Sequence, residues 1–193
     1  MKIPELQSKH GVPQPLVESL LKAGYASLYP PQAEAVRSGM LKGKNLLMAV
    51  PTAAGKTLVA ELCMVKSILD ADGRCLYVVP LRALATEKYE EFKKRWAPLG
   101  ISVGVATGEY DSPGSRLARH RILVATSEKV DSLLRMRARW LAESLTVAVM
   151  DEVHNLHDPG RGPTLAFVTA RLRPVNPALQ ILGLSATAPT ARE

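Results

Sequence analysis

Six short apolar runs recur along the sequence, separated by stretches with helical spacing. The runs are NLLMAV (45–50), CLYVV (75–79), ISVGVA (101–106), ILVAT (122–126), LTVAVM (145–150) and QILGLS (180–185). They are continuous rather than alternating, which is typical of strands covered on both faces of a sheet. Helical patterns occupy 57–69, 84–96, 127–141 and 164–173. This alternation predicts an α/β fold with a mostly parallel sheet of about six or seven strands and helices on both faces.

Two short helices are predicted before the first strand. One covers about 14–22 and ends near Gly24, and the other begins at Pro31 and ends near Gly39. No internal repeat and no long linker divides the sequence, so we predict a single domain over residues 1–193. Residues 1–43 would contribute the N-terminal helices, and residues 44–193 the core.

The chain is basic, with a formal net charge of +7 and a pI of about 9.6. Basic residues cluster at 93–95, 116–121 and 135–139. A polyanionic partner explains such a charge. Solubility explains it equally well, and net charge alone leaves both explanations open.

The two cysteines and the hydropathy pattern bear on the compartment. Cys63 and Cys75 lie in apolar stretches and form no CxxC pair, so we expect reduced core residues rather than a disulfide or a metal site. The N-terminus lacks the apolar run of a signal peptide, and the strand-like runs are too short to span a bilayer. We therefore expect a cytoplasmic protein without a membrane partner.

A phosphate-binding loop is predicted at VPTAAGKT (50–57). Gly55, Lys56 and Thr57 match the end of the phosphate-loop pattern, after a predicted strand and at the start of a predicted helix. Unpaired N–H groups and the helix dipole attract an anion there. Lys56 would reach the β- and γ-phosphates of ATP, and the Thr57 hydroxyl would ligate Mg²⁺. Val50 replaces the first glycine of the pattern and excludes a left-handed backbone. The alternative is a structural strand–turn–helix joint with an incidental lysine.

Two adjacent carboxylates follow the fifth predicted strand, in VAVMDEVH (147–154). The carboxyl ends of strands in open α/β sheets are where ligands bind. Asp151 would hold Mg²⁺ through its water shell, and Glu152 would orient and deprotonate an attacking water. Solvated loop acids are the alternative. A zinc site of His154, His157 and Asp158 is disfavoured, because no third ligand stands at a recognisable spacing.

Polar side chains also follow other strands. Arg82 lies just after the second strand, while Thr126, Ser127 and Lys129 open the helix after the fourth. Helix starts, hydroxyls and cations at one sheet edge are typical phosphate contacts of nucleic-acid-binding proteins. Thr126 and Ser127 are also good helix N-caps, which explains them without a ligand. Tyr110, in GEYDS, lies in a segment that also has the composition of an ordinary turn.

The ordered set of motifs resembles the superfamily-two helicases. The matching segments are LYPPQAEAV (28–36), PTAAGKT (51–57), VVPLRALATEKYEEF (78–92), TGEYDS (107–112), VATSEKVDSLLR (124–135), DEVH (151–154) and LGLSATAP (182–189). PPQAEAV, TGEYDS and the segment 161–189 are most similar to the Ski-like group, especially the archaeal HelQ-like DNA helicases. The resemblance covers nearly the whole chain.

The resemblance implies a RecA-like P-loop NTPase domain and a role for each motif residue. Gln32 would read the adenine edge, and DEVH adds His154 to the catalytic group. Ser185 and Thr187 would couple nucleotide state to nucleic acid. The implied nucleotide contacts are Gln32, Pro51, Thr52, Ala53, Ala54, Gly55, Lys56 and Thr57. The implied nucleic-acid contacts are Arg82, Tyr110, Thr126, Ser127 and Lys129.

The implied activity is ATP-dependent 3′-to-5′ unwinding of branched or stalled-fork DNA by a nucleoid-associated enzyme of an archaeal or bacterial-type cell. Only six residues follow Thr187, so we expect a first motor domain without the second RecA-like domain and its arginine fingers. Such a fragment would bind Mg-ATP, bind DNA weakly, hydrolyse ATP poorly, not unwind and form no stable oligomer. The alternatives are the motor of a Ski-like RNA helicase and a nucleic-acid-binding module with a vestigial ATPase site.

Overall fold

A computed structural model of the chain describes residues 1–51, 54–108, 114–136, 139–154 and 162–186. All six predicted strands are present. They are β1 (Leu46–Ala49), β2 (Arg74–Val79), β3 (Val103–Ala106), β4 (Ile122–Thr126), β5 (Leu145–Met150) and β6 (Gln180–Ser185). The predicted α/β class is confirmed, because helices separate most of these strands.

The helices of the described residues are α1 (Ile3–His10), α2 (Gln14–Lys22), α3 (Pro30–Arg37), α4 (Lys56–Ala71), α5 (Arg82–Trp96), α6 (Gly114–Leu117), α7 (Ser127–Arg135), α8 (Arg139–Ser144) and α9 (Gly162–Val175). These helices agree with the sequence pattern except at three places. The single helical pattern expected over 127–141 is wrong, because α7 ends at Arg135 and α8 begins at Arg139. The apolar stripe is interrupted there, and Met136 is exposed to solvent.

The prediction of two helices before the first strand was also wrong, since α1 precedes the two expected ones. This helix has only eight residues and is too short to be stable by intrinsic propensity. Its two apolar side chains, Ile3 and Leu6, are completely buried. Packing against the rest of the domain therefore stabilises a segment with almost no periodic signal. The one-turn helix α6 was missed for the same reason.

The six strands form one sheet in the order β1-β6-β5-β2-β4-β3, and every neighbouring pair is parallel. Ala49 lies opposite Ser185, and Val78 opposite Met150. Because all strands run in one direction, their carboxyl ends emerge at a single edge of the sheet. This edge carries the ends of β1, β2, β4, β5 and β6, each of which precedes a predicted functional residue.

Two apolar cores cover the two faces of the sheet. Alternate residues of β2 separate them, since Cys75 and Tyr77 face one core and Leu76 and Val78 the other. The first core contains side chains from α1 to α5, and the second contains side chains from α7 to α9. The expectation of helices on both faces is confirmed. Continuous apolar strands result because both faces are buried.

Both cysteines are buried and free, as the sequence predicts. The Cys63 thiol donates to the Met40 carbonyl and the Cys75 thiol to the Met64 carbonyl. Burial raises the pKa of each thiol to about 12. Both cysteines are therefore thiols rather than reactive thiolates. Among the described helices, none combines the length and the apolar character needed to cross a bilayer.

Candidate nucleotide and nucleic-acid site

The phosphate loop turns from β1 into α4 through a glycine that no other residue can replace without strain. Gly55 has φ +72° and is the N-cap of α4. A Cβ atom there would lie 2.3 Å from Gln32 Nε2. The Ala54 amide donates to the Pro51 carbonyl at 3.0 Å, which tightens the loop. Thr52 and Ala53 lie outside the described residues.

The Lys56 side chain is the clearest sign that this loop binds an anion. It is 5% exposed, and its ammonium has no hydrogen-bond partner among the described residues. Its ion-pair partner is Glu152, with Nζ and Oε2 4.0 Å apart. Burying an ammonium this poorly bonded is unfavourable. A phosphate group would supply the missing acceptors, so the residues present fit a nucleotide.

The two predicted carboxylates lie at the turn that follows β5. The Asp151 amide donates to the Val78 carbonyl at 2.8 Å, which fixes the start of the turn against β2. Asp151 Oδ1 accepts from the Glu152 amide at 2.9 Å. Glu152 has φ +53°, a left-handed conformation that is unfavourable for a residue with a Cβ. Strain of this kind is commonly found at functional sites.

Glu152 stands between the Lys56 ammonium and the His154 imidazole. Lys56 lies at 4.0 Å from Glu152 Oε2, and His154 Nδ1 lies at 3.2 Å from the same oxygen. The structure therefore brings together the four residues predicted to be catalytic, which are Lys56, Asp151, Glu152 and His154. A carboxylate held this way is suited to orient a water and to accept its proton.

The donor set at this edge fits Mg²⁺ better than zinc. Thr57 offers a hydroxyl oxygen at the start of α4, and Asp151 offers a carboxylate; Mg²⁺ prefers such oxygen ligands completed by water. In the described part of the chain, no cluster of three or more His, Cys, Asp or Glu side chains could hold a metal. The disfavoured zinc site gains no support, and its members His157 and Asp158 lie outside that part.

Gln32 lies directly against the phosphate loop. Its Nε2 donates to the Gly55 carbonyl at 2.9 Å, and its Oε1 accepts from the Tyr29 amide at 2.8 Å, closing a capping box at the start of α3. The neighbouring Tyr29 side chain is 61% exposed. Gln32 thus joins α3 to the loop, and its predicted contact with adenine stays a prediction.

Three side chains at this site were not singled out from the sequence. They are Tyr29, Tyr77 and Lys88. The Tyr77 hydroxyl donates to Asp151 Oδ2 at 2.6 Å, and Lys88 Nζ lies 3.4 Å from Thr57 Oγ1. Burial, followed by the charge of Asp151, holds the pKa of Tyr77 well above its ordinary value. No local signal distinguishes Tyr77 from a core aromatic, because only strand pairing brings it to Asp151.

A partly buried charge network connects the site to the far end of α5. Lys88 donates to Glu91 at 2.8 Å, and Arg95 bonds both Glu91, at 3.3 Å, and Glu61, at 2.5 Å. Glu61 is completely buried on α4. Burial raises the pKa of Glu61 to about 7, although the positive charge of Arg95 acts in the opposite direction.

Three of the predicted nucleic-acid contacts line a cavity of about 440 Å³ at the carboxyl ends of β2, β3 and β4, and Ser127 is not among its lining residues. Arg82, Thr126 and Lys129 all belong to its lining. Arg82 is exposed, whereas the Lys129 ammonium donates to the Gly108 carbonyl at 2.7 Å. Tyr110 lies outside the described residues.

The hydroxyls at the start of α7 have a structural role. Thr126 accepts from the Lys129 amide at 3.4 Å and is the N-cap of the helix. Thr126 and Ser127 are both buried. Helix capping therefore accounts for the contact that the Thr126 hydroxyl makes in this structure. Of the predicted nucleic-acid contacts that the structure describes, Arg82 is the most exposed to solvent.

Several residues of the basic clusters form local ion pairs. Arg95 pairs with Glu61 and Glu91, Arg121 with Asp72, and Arg135 with Asp131. Local neutralisation of this kind favours a solubility role for part of the net charge. The cavity at the sheet edge is lined by two cationic side chains, Arg82 and Lys129, and by the acidic Glu128.

Ser185 ends β6 and is buried. Its carbonyl accepts from the Val50 amide at 3.2 Å, which places it beside the entrance to the phosphate loop. On the same strand, a Cβ added at Gly183 would meet Val153 of the carboxylate turn at 3.5 Å. β6 thus contacts both halves of the site, while Thr187 lies outside the described residues.

Sequence comparisons find helicases over almost the whole chain. The family model described as DEAD/DEAH box helicase matches residues 29–193. The chain is 53% identical to the ATP-dependent DNA helicase Hel308 of Methanocella arvoryzae and 48% identical to that of Pyrococcus horikoshii. These alignments cover 100% and 97% of this chain but only 26% and 25% of the relatives. The chain thus spans about a quarter of their length.

Solved structures with this fold include other helicases. The DUF1998 helicase MrfA, solved with DNA and AMPPNP, has a TM-score of 0.78 and 25% identity over 94% of this chain and 27% of that chain. The Mycobacterium smegmatis helicase Lhr, solved with ssDNA and AMP-PNP, has a TM-score of 0.77 and 31% identity over 92% of this chain and 25% of that chain.

These findings confirm the resemblance to superfamily-two helicases of the HelQ-like type and the RecA-like fold. The match begins at Tyr29, immediately before α3, and includes the phosphate loop and the carboxylate turn. The chain belongs to the DEAD/DEAH box helicase family.

Proposed function

We propose that this chain is the ATP-binding motor domain of an ATP-dependent DNA helicase. The observation that carries the proposal is the buried Lys56 ammonium, which lies at the start of α4 and is 4.0 Å from Glu152. A positive charge in this position binds the phosphates of a nucleotide, and the adjacent carboxylate handles water. The names and lengths of the relatives support assigning unwinding to a longer protein.

Each side chain at the edge has a distinct task in this proposal. Lys56 and the loop amides bind the phosphates, while Thr57 and Asp151 hold Mg²⁺, which neutralises phosphate charge when bound. Glu152 accepts the proton of the attacking water, and His154 holds the Glu152 carboxylate in place. Gln32 reads the adenine edge, and the exposed Tyr29 ring offers it an apolar face.

Single-stranded or forked DNA is the proposed nucleic-acid partner, bound along the cavity that Arg82 and Lys129 line. The relatives are named DNA helicases, which favours DNA over RNA. We assign 3′-to-5′ unwinding to the longer protein, with a second RecA-like domain closing over the nucleotide. We also propose that Ser185 couples the two sites, and that the motor is a monomer in the cytoplasm, associated with the nucleoid.

The ATPase proposal is tested with Glu152→Gln. We expect the variant to bind Mg-ATP within about threefold of the wild-type affinity, because it keeps the shape of the side chain. Its turnover should fall at least about tenfold, because an amide cannot accept the proton of water. Binding is measured by fluorescence titration, and turnover by phosphate release with and without single-stranded DNA. A measurable turnover that is equal in variant and wild type would contradict the role of Glu152.

The nucleic-acid proposal is tested with Arg82→Ala. Loss of one phosphate contact should weaken single-stranded DNA binding at every sequence and reduce the slope of log affinity against log salt by about 0.7. Arg119→Ala is the matched control, because Arg119 is an exposed arginine before the amino end of β4, at the opposite edge of the sheet. Equal losses in the two variants would mean that general positive charge, rather than the cavity, binds DNA.

A further inference from the structure

Tyr77 has a polar contact that its place in the core does not require. It lies in β2 and is completely buried, with its ring edge-on to Phe92 at a centroid distance of 5.1 Å. A phenylalanine would fill the same space. The hydroxyl is different, because it reaches the carboxyl edge of the sheet and donates to Asp151 Oδ2 at 2.6 Å.

The strand register explains why this contact forms. Tyr77 lies opposite Val149 of β5, and Asp151 follows two residues later on the same side of the chain. A long side chain at position 77 is needed to reach Asp151, which lies two residues beyond Val149. The hydroxyl therefore meets the carboxylate at the point where β5 ends.

The Asp151 carboxylate is held from two directions. Oδ1 accepts from the Glu152 amide at 2.9 Å, and Oδ2 accepts from the Tyr77 hydroxyl. Tyr77 thus contacts one of the two residues to which the proposed function assigns Mg²⁺, and among the described residues no other side chain is bonded to Asp151 in this way.

We propose that Tyr77 is a positioning residue for the metal side of the nucleotide site. Its hydroxyl holds the Asp151 carboxylate in one orientation, in which that carboxylate would accept Mg²⁺. The inference rests on the proposed function of this site. Removal of a group that orients a metal ligand typically weakens metal binding by about 10- to 100-fold.

Tyr77→Phe tests the inference in the 193-residue chain. The Mg²⁺ concentration that gives half-maximal binding of a fluorescent ATP analogue should rise about tenfold. Nucleotide affinity in EDTA should stay unchanged, because the hydroxyl acts through the metal. Tyr89→Phe is the matched control, since Tyr89 lies on α5 with its ring against Lys93, and it should leave the Mg²⁺ dependence unaltered.

The test separates a positioning role from a structural one. If Tyr77 only provides a hydrogen bond to the half-buried Asp151 carboxylate, Tyr77→Phe lowers the melting temperature and leaves the Mg²⁺ half-saturation unchanged, which would overturn the inference. In an Asp151→Asn background, Tyr77→Phe should add less than about twofold, because both changes act on one ligand. A further tenfold effect there would also overturn it.

The outcome for the wild-type chain distinguishes the inference from the function on which it rests. Mg²⁺-dependent nucleotide binding that Tyr77→Phe does not alter would overturn the role of Tyr77 alone. Absence of Mg²⁺-dependent binding in the wild-type chain would overturn the proposed nucleotide site and the inference with it. A tenfold shift with normal EDTA affinity supports both.

Discussion

Lys56→Ala is expected to reduce Mg-ATP affinity by at least about 30-fold, because truncating a desolvated charge that pairs with a ligand costs about 2–5 kcal/mol. The reason is local: the ammonium is buried and lacks a hydrogen-bond partner among the described residues until a phosphate arrives. Fluorescence titration with and without Mg²⁺ measures the change. Lys42→Ala is the control, since Lys42 is exposed and lies outside the loop.

The stability of a second variant at this position, Lys56→Met, is expected not to fall with the affinity. Removing the buried ammonium relieves the cost of burying a charge that has no hydrogen-bond partner among the described residues, and the half-buried Glu152 keeps its contact with His154 at 3.2 Å. We therefore expect Lys56→Met, which keeps the apolar stem, to unfold at the same or a higher temperature than the wild type. Loss of both binding and stability would mean that Lys56 is a structural residue. Unchanged affinity would refute the phosphate site.

Arg95→Ala is expected to destabilise the fold by about 3 kcal/mol near pH 8, because it leaves the buried Glu61 carboxylate without its cation. Glu61 is completely buried and Arg95 only partly exposed, so solvent screens this pair less than a surface pair. Urea unfolding of the wild type and the variant measures the difference. Arg95→Met keeps the alkyl stem and separates the loss of charge from the loss of packing.

The penalty for Arg95→Ala should depend on pH in a defined direction. Burial raises the pKa of Glu61 to about 7 from an ordinary value of 4.5, so the native state binds this proton more tightly than the unfolded state. The stabilisation of the native state by this tighter binding of the Glu61 proton is fully present below pH 4.5 and is lost as the pH rises through about 7. The variant should therefore be closer to wild type at pH 5 than at pH 8.

Arg95→Ala/Glu61→Gln provides the matching control. With the carboxylate replaced by a neutral amide, most of the stability lost at pH 8 should return, because no unpaired charge remains. The double variant should also show a smaller change of stability between pH 5 and pH 8. A double variant as unstable as Arg95→Ala would mean that Arg95 acts through other contacts, such as its position over the Tyr25 ring.

Sequence patterns specified most of this fold because strands buried on two faces have to be continuously apolar. That requirement made the runs at 75–79 and 145–150 visible without any knowledge of their neighbours. α1 escaped detection because its helical conformation depends on burial of Ile3 and Leu6 by residues distant in sequence. Local patterns cannot report such tertiary stabilisation.

The same distinction applies to the site. Lys56, Asp151 and Glu152 were identified because their neighbours in the chain form short motifs at strand ends. Tyr77 was not, because its hydroxyl meets Asp151 only through the pairing of β2 with β5. Lys88 likewise reaches Thr57 from another helix. Residues that act across elements have no motif of their own, and only the strand order brings them together.

The left-handed backbone at Glu152 lowers the stability of the fold at a position where the proposed function requires a carboxylate. A residue with a Cβ in this conformation costs about 1–2 kcal/mol relative to ordinary backbone, whereas glycine adopts it freely. Selection of variants for heat resistance alone would therefore enrich glycine or asparagine at this position and discard the carboxylate. Efforts to stabilise this domain for industrial or structural use should hold position 152 fixed and seek improvement elsewhere.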